Sequence, residues 1–233
     1  LEVTSVWHDE VALLSKRGAN LAAQRMYARQ DAPGQPVVLV HGFAQNRFSW
    51  HLSGRSMQAY LASKGFDTWN VELRGHGRSR DFGSVSPRRF DDYVDDMQTV
   101  CDALDQPPFA IGHSLGGAVI AAAATRMPVR GIVPMGGLYG FATNERVLNL
   151  LTAFTLAFDR VVSGVPLSFN TKLLAPILTK NLPIADLWGY GLPIAGWVPG
   201  SVETDLLRER IELGFDWTSI EIWMQMCRWA QHD

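Results

Sequence analysis

The sequence predicts an α/β fold in which a doubly wound, mostly parallel sheet is followed by a mostly helical region. Three observations lead to this prediction. Over residues 1–137, apolar runs of strand length alternate with segments of helical spacing, as they do in parallel sheets. One of these runs leads into a Gly-x-Ser-x-Gly pentapeptide. Over residues 138–200 only seven of 63 residues are charged, and the patterns indicate helices and loops.

The first elements are predicted to be mainly strands. Two antiparallel strands are expected near Val3–Trp7 and Asn20–Tyr27. The β-branched and leucine run Val37–Val40 predicts a buried strand. A helix over 56–64 follows, because Gly65 terminates a segment of helical spacing.

The later elements continue the alternation of strand and helix. A strand is predicted at Phe66–Val71, and a helix is predicted to begin at Ser86-Pro87 because apolar residues then recur at helical spacing. The short apolar run Phe109–Ile111 predicts a strand, and the alanine-rich segment 115–124 predicts a helix packed closely on the sheet. Gly131–Met135 is the sixth predicted strand.

The pentapeptide Gly112–Gly116 predicts a catalytic serine, Ser114. At such a sharp strand-to-helix turn, side chains at positions 112 and 116 would collide with neighbouring backbone. Ser114 would face solvent at a helix N-terminus, where free N–H groups favour an anion. The pentapeptide also arises by chance, but the strand–turn–helix context favours a nucleophile. His113 is expected to pack and to form hydrogen bonds, because neighbouring side chains at such a turn diverge.

A second motif supplies a candidate partner for Ser114. The strand Val37–Val40 ends in His41-Gly42-Phe43-Ala44-Gln45-Asn46. A serine nucleophile needs two hydrogen-bond donors for the oxyanion of its tetrahedral intermediate, and one must come from outside the serine turn. The backbone N–H groups of Phe43 and Leu115 are therefore the predicted oxyanion hole.

Together with the segment Glu72–Ser79, these motifs resemble the α/β-hydrolase superfamily, in its lipase and esterase branch with a helical cap. The resemblance is strong over 37–135 and diffuse elsewhere. It implies an α/β-hydrolase fold, Ser114 as the nucleophile and the Arg74–Ser79 loop beside the site. It also implies that the catalytic acid and then a histidine follow the nucleophile in the chain.

The sequence departs from this pattern after Ser114. No later run predicts a strand that ends in Gly-Asp or Gly-x-Asp. His232 is the one histidine after Ser114, and it ends a predicted helix, so it is an alternative but poorly placed base. Since Leu1 is not methionine, we expect the numbering to start within a longer or processed chain. We expect the acid and base beyond residue 233, which makes this a C-terminally incomplete hydrolase.

The two regions are interpreted as a core, 1–137, and a helical cap or lid, 138–233. Five of the eight tryptophans lie in the second region, at Trp188, Trp197, Trp217, Trp223 and Trp229. A cap over Ser114 would provide an apolar pocket, although most of its apolar residues would form the cap's own core. The expected activity is hydrolysis of carboxylic esters with a hydrophobic acyl or alkyl group, through an acyl-enzyme.

Other functions stay open at this point. Thioesterase, perhydrolase and C–C hydrolase activities are compatible with serine, as is a catalytically silent binding module. Related dehalogenases and epoxide hydrolases use aspartate at the nucleophile position, and polyester synthases use cysteine, so Ser114 argues against both. The predicted mechanism requires no metal or organic cofactor. The histidines lack zinc-site spacing, and neighbouring aspartates of the predicted helix point to different faces.

Composition excludes several classes of partner. The formal net charge is −2 and the basic residues are scattered, which disfavours nucleic acid. Cys101 and Cys227 are too isolated for a disulfide framework and are expected to be thiols. The longest apolar stretch, 148–158, is too short for a transmembrane segment. The absence of a leader sequence favours a cytoplasmic protein while a mature secreted form stays open, as does the oligomeric state.

Overall fold

The computed structural model describes residues 6–14, 19–28, 34–137, 146–157, 168–191 and 198–232. Six strands form one sheet in the order β1-β2-β4-β3-β5-β6. Their bounds are β1 Trp7–Leu14, β2 Asn20–Tyr27, β3 Pro36–Val40, β4 Asp67–Glu72, β5 Phe109–His113 and β6 Gly131–Met135. β1 and β2 pair antiparallel, β2 pairs antiparallel with β4, and β4, β3, β5 and β6 run parallel. The predicted α/β class with a mostly parallel sheet is confirmed.

Helices connect the strands and then continue beyond the sheet. Their bounds are α1 Met57–Ser63, α2 Gly77–Asp81, α3 Phe90–Asp102, α4 Leu115–Ala124, α5 Arg146–Ala157, α6 Ala175–Lys180, α7 Leu182–Gly191, α8 Thr204–Gly214 and α9 Ile220–His232. Two short 3-10 helices lie at Arg47–Ser49 and Thr171–Leu174. The helix predicted over 56–64 is α1, and the Ser56 side chain caps it by accepting a hydrogen bond from the Ala59 amide.

The centre of the sheet is buried on both faces, which explains why β3 is apolar along its whole length. Val38 and Val40 belong to one apolar cluster, which includes residues of α3, α4 and α9. Val37 and Leu39 point to the opposite face, where they pack with Trp50 in a second cluster. The β-branched run that predicted a buried strand is therefore the centre of the fold.

Two elements, β1 and α3, begin four residues later than predicted. β1 covers Trp7–Leu14 and pairs along its full length with β2, so the strand predicted near Val3–Trp7 is shifted; residues 3–5 lie outside the described residues. α3 begins at Phe90 rather than at Ser86-Pro87. The Asp92 carboxylate accepts hydrogen bonds from the amides of Arg88 and Arg89, which closes a cap and leaves Arg89 extended.

The region after β6 is mostly helical, but it also contains two strands that were not predicted. β7 Ser168–Asn170 and β8 Trp217–Ser219 pair antiparallel. The expectation of helices and loops alone was wrong here, because three-residue strands are too short to show a period of two. The predicted boundary between core and cap falls at residues 138–145, which lie outside the described residues.

β6 forms one edge of the described sheet. Its side chains Ile132, Val133 and Met135 are 36%, 49% and 42% exposed, although they are apolar. Among the helices that the structure describes, none has both the length and the apolar character needed to cross a bilayer.

Candidate active site

Ser114 lies at the junction where β5 ends and α4 begins. Its backbone has φ 52° and ψ −117°, a left-handed conformation that residues other than glycine rarely adopt. The Ser114 amide donates to the Met135 carbonyl at 2.9 Å, and the Ser114 carbonyl accepts from the Gly117 amide at 2.9 Å. These two bonds fix the strained turn between neighbouring strands.

The two glycines of the pentapeptide permit a very close approach of backbone. A Cβ atom on Gly112 would lie 2.3 Å from the Gly116 oxygen. A Cβ atom on Gly116 would lie 2.5 Å from the carbonyl oxygens of Val40 and of His41. The collision argued from the sequence is therefore present, and the first turn of α4 packs directly on the end of β3.

Residues 41–46, here called the β3 loop, lie against Ser114. A Cβ atom on Gly42 would be 3.2 Å from the Ser114 Cβ and 3.0 Å from the His113 Nδ1. Within the described parts of the chain, the amides of Phe43 and Leu115 donate no hydrogen bond, and Leu115 is the first residue of α4. Two free N–H groups thus flank the serine turn, while their role as an oxyanion hole stays a prediction.

Gln45 organises the β3 loop, and the sequence analysis did not identify it. Its Oε1 accepts from the Gly42 amide at 3.3 Å and from the Ser49 hydroxyl at 3.0 Å. The same oxygen lies 3.1 Å from the His113 Nδ1. His113 thus has the hydrogen-bonding role predicted for it. Burial lowers the pKa of His113, and the nearby Arg210 charge lowers it further.

His41 and His76 are buried structural histidines. The His41 Nδ1 lies 2.9 Å from the Gly42 oxygen, and its Nε2 accepts from the Leu73 amide at 3.1 Å. Burial lowers the pKa of His41 to about 4. The His76 Nε2 lies 2.9 Å from the Tyr93 hydroxyl, and burial lowers the pKa of His76 as well.

The described residues do not supply a catalytic base for Ser114. None of the described side chains forms a hydrogen bond with the Ser114 hydroxyl. His232 is the last residue of α9, and its side chain lies outside the described ones. Within the same part of the chain, no group of three or more His, Cys, Asp or Glu side chains is arranged to hold a metal ion.

Two buried carboxylates, Glu72 and Asp216, are hydrogen-bonded to residues of the β3 loop or next to it. Glu72 begins the segment Glu72–Ser79 named in the sequence analysis, whereas no motif marked Asp216. Glu72 accepts from the amides of Arg47 and Arg78 at 3.4 Å and 2.8 Å, and burial raises its pKa. Asp216, which follows α8, accepts from the Asn46 side chain at 2.8 Å. Asp216 lies 170 positions from Asn46 in the sequence, so only the folded chain brings the two together.

Helix α9 covers the outer side of the β3 loop. The ring of Trp223 lies 5.7 Å from the ring of Phe43, between centroids. The Trp223 Nε1 donates to the Thr155 hydroxyl of α5 at 3.3 Å. The Phe43 side chain therefore packs against α9, and α9 is in turn connected to α5.

Comparison with known proteins gives a consistent picture. The model of the family described as alpha/beta hydrolase matches residues 37–229. The thioesterase domain from the curacin biosynthetic pathway is similar in fold, with a TM-score of 0.56 at 18% identity; the match covers 92% of this chain and 74% of that domain.

Two curated relatives are similar over part of the sequence. The epoxide hydrolase B of Mycobacterium tuberculosis is 31% identical over 105 residues, which is 43% of this chain and 28% of the relative. The monoacylglycerol lipase of Mycolicibacterium smegmatis is 29% identical over 141 residues, which is 58% of this chain and 48% of the relative. The chain thus spans less than half the length of either relative.

Proposed function

We propose, from the premise that this chain belongs to the alpha/beta hydrolase family, that Ser114 is the nucleophile of a carboxylic ester hydrolase. One observation carries the proposal. Ser114 is held at φ 52° between β5 and α4, beside the Phe43 and Leu115 amides, which have no hydrogen-bond acceptor among the described residues. Such an arrangement exposes a hydroxyl next to donors that match a developing oxyanion.

The proposed reaction proceeds through an acyl-enzyme. The Ser114 Oγ attacks the ester carbonyl carbon, and the carbonyl π electrons move to the oxygen, which the two amides stabilise. The tetrahedral intermediate collapses, the C–O bond to the alcohol breaks, and the alcohol leaves with a proton from the general acid. Water then attacks the acyl-enzyme by the same steps and releases the carboxylic acid.

A histidine and a carboxylate must move the protons in this scheme, and we propose that they lie beyond residue 233. The histidines near the serine turn support this placement. His41 and His76 are buried in hydrogen bonds within the core, and His113 contacts Gln45 instead of Ser114. Among the described side chains, none of these histidines is thus placed as a base hydrogen-bonded to the nucleophile, and His232, whose side chain lies outside the described ones, is the alternative within this sequence.

The proposed substrates carry a hydrophobic acyl or alkyl group. The Trp223 ring packs against the Phe43 ring, and this contact supports an apolar pocket next to the reacting carbonyl. In this proposal the residues after β6 act as a cap. The similarity to a monoacylglycerol lipase is in line with it. Epoxide opening is disfavoured in spite of the similarity to an epoxide hydrolase, because serine stands where those enzymes use aspartate. Thioesterase, perhydrolase and C–C hydrolase activities would use the same Ser114 chemistry.

A fluorophosphonate probe tests the nucleophile on the protein with its complete chain. The serine oxygen displaces fluoride from phosphorus, so the wild type should become covalently labelled at Ser114 and Ser114→Ala should not. Ser63→Ala, which changes an exposed serine at the end of α1, is the matched control and should label like the wild type. Absence of labelling in the wild type would instead support a catalytically silent binding module.

Substrate class is tested with a series of 4-nitrophenyl esters from acetate to octanoate. The proposal predicts that kcat/KM rises with acyl length, because each buried methylene contributes about 0.8 kcal/mol. A preference for acetate would contradict the apolar pocket while leaving Ser114 as the nucleophile.

A further inference from the structure

Asp216 is a buried carboxylate whose hydrogen-bond partners lie in three separate parts of the chain. It is 1% exposed and stands between α8 and β8. Its Oδ2 accepts from the Asn46 Nδ2 at 2.8 Å and from the Gly77 amide at 3.0 Å. Its Oδ1 accepts from the Trp217 amide at 2.7 Å. One side chain thus joins the β3 loop, the start of α2 and the C-terminal helical region.

The backbone around Asp216 makes a second connection to the β3 loop. The Asp216 amide donates to the Ala44 carbonyl at 2.9 Å, and Phe215 forms an antiparallel bridge with Gln45. The Asp216 carbonyl accepts from the Thr171 amide at 3.1 Å and from its hydroxyl at 2.8 Å. The loop and the segment 215–216 are therefore paired in the manner of two short strands.

The part of the loop that Asp216 holds is strained. Ala44 has φ 55°, a conformation that costs a non-glycine residue free energy and persists only where the surrounding structure enforces it. Ala44 directly follows Phe43, so the direction of the Phe43 peptide depends on this conformation. The bond from the Asp216 amide to the Ala44 carbonyl and the bond from the Asn46 side chain to the Asp216 carboxylate hold this part of the loop in place.

We propose that Asp216 is a positioning residue that holds the β3 loop so that the Phe43 N–H points at the oxyanion. This inference rests on the proposed function, because it assumes that Ser114 generates that oxyanion. Asp216 acts through Ala44 and Asn46 and does not itself contact the reacting atoms. Through Asp216, the C-terminal helical region then orients one of the two oxyanion donors.

The decisive variant is Asp216→Asn in the protein with its complete chain. It keeps the size of the side chain and the hydrogen bond from the backbone amide of residue 216 to the Ala44 carbonyl. An NH₂ group replaces one of the two acceptor oxygens of the side chain. We expect kcat for the preferred 4-nitrophenyl ester to fall about 10- to 100-fold, below the loss for removing an oxyanion donor outright, while KM changes less than about threefold. Asp205→Asn, an exposed carboxylate at the start of α8, is the matched control and should behave like the wild type.

A second measurement separates positioning from a general loss of stability. An aryl trifluoromethyl ketone adds to the serine oxygen and forms a charged tetrahedral adduct, so its affinity reports the oxyanion hole. Its Ki should rise by the same factor as kcat falls in Asp216→Asn. Asn46→Ala, which leaves Asp216 in place, should give a similar selective effect, and the double variant should lose less than the product of the two. If Asp216→Asn does not fold, Asn46→Ala provides the same test.

The outcomes are distinct. Unchanged kcat and unchanged ketone affinity, together with a lower melting temperature, would overturn the inference and leave the proposed function intact. A wild-type protein that neither hydrolyses esters nor labels at Ser114 would refute the proposed function, and the inference with it.

Discussion

Close backbone contact at the serine turn requires glycine, which has only a hydrogen atom in place of a side chain. Gly116 has no side chain, and the space where a Cβ would lie is occupied by the carbonyl oxygens of Val40 and His41. These oxygens belong to the end of β3 and to the first residue of the β3 loop, and both residues are fully buried, so the oxygens have no room to move away. The requirement for glycine is therefore set by the packing of α4 on the sheet and not by a turn conformation alone.

The change Gly116→Ala should lower the free energy of unfolding by about 3 kcal/mol or more, because the new methyl group forces backbone atoms apart. Gly214→Ala is the matched control. Its Cβ would meet its nearest neighbours at 3.7 Å and 3.9 Å, which is ordinary contact, and the residue ends helix α8. This control should be neutral or slightly stabilising. Urea denaturation of both variants makes the comparison, and equal losses would contradict it.

At the scale of elements, a buried ion pair connects α3 to the segment after β4. The Arg74 amide and Nε both donate to the Asp96 carboxylate at 2.8 Å, and its Nη2 lies 2.7 Å from the same group. The Asp96 side chain is fully buried and that of Arg74 is 13% exposed. The pair fixes the chain just before α2, whose first amide reaches Asp216.

Breaking this pair by Arg74→Met should destabilise the fold by about 3–5 kcal/mol, since it leaves a buried carboxylate with the backbone amide alone. The pair of Asp91 and Arg126 on the outside of α3 is the natural control. Its side chains are 49% and 51% exposed, and Arg126→Met should cost less than about 1 kcal/mol. Chemical denaturation measures both losses. A small effect of Arg74→Met would show that water or a rearrangement compensates Asp96.

The helix α3 also shows which part of the fold is visible in the sequence. Its apolar stripe predicted the buried residues Tyr93, Met97 and Val100 correctly. Asp96 stands among acidic neighbours in the sequence, and it lies three residues from Tyr93 and four from Val100. That spacing places it on the buried face, so a helical projection would have singled it out. Its partner Arg74 has no comparable signal.

The same contrast holds for the candidate site. The apolar runs and the glycine spacing placed Ser114 between β5 and α4, because both are local consequences of close packing. Asn46 and Asp216 meet across 170 positions, and Gln45 is one polar residue in a loop of many. Contacts of this kind have no periodicity, and they follow from the path of the chain after β6. The strands β7 and β8 were missed for the same reason.

For the molecule as a whole, burial of neutral histidine makes stability depend on pH. His41 has a pKa of about 4 in the folded protein, while the unfolded chain should titrate near the ordinary value of 6.5. Between these values the unfolded state binds more protons, so the free energy of unfolding falls as the pH is lowered from about 6.5 to 4. Above pH 6.5 His41 does not destabilise the fold, and below pH 4 its destabilising effect is complete.

The difference between the two pKa values of His41 corresponds to a loss of about 3 kcal/mol in the free energy of unfolding. This loss affects the unfolding of the whole domain, because His41 lies in the core. Thermal or urea unfolding of wild type and His41→Asn from pH 7.5 to 4 provides the test. The variant should lose less stability over this range than the wild type, and titrating groups that do not interact with His41 cancel in the difference. His8→Asn, on the exposed part of β1, should follow the wild type. Parallel curves for His41→Asn and wild type would contradict the assignment.

Ala44 and Ser114 are the two residues other than glycine in the described chain that have a positive φ, and they lie in the β3 loop and in the serine turn. Both conformations are held by bonds that exist before any ester arrives, to the Asp216 amide in one case and to the Met135 carbonyl in the other. The backbone strain is thus already present in the folded protein without a ligand. If Ser114 acts as proposed, each turnover begins from a backbone that already has this conformation.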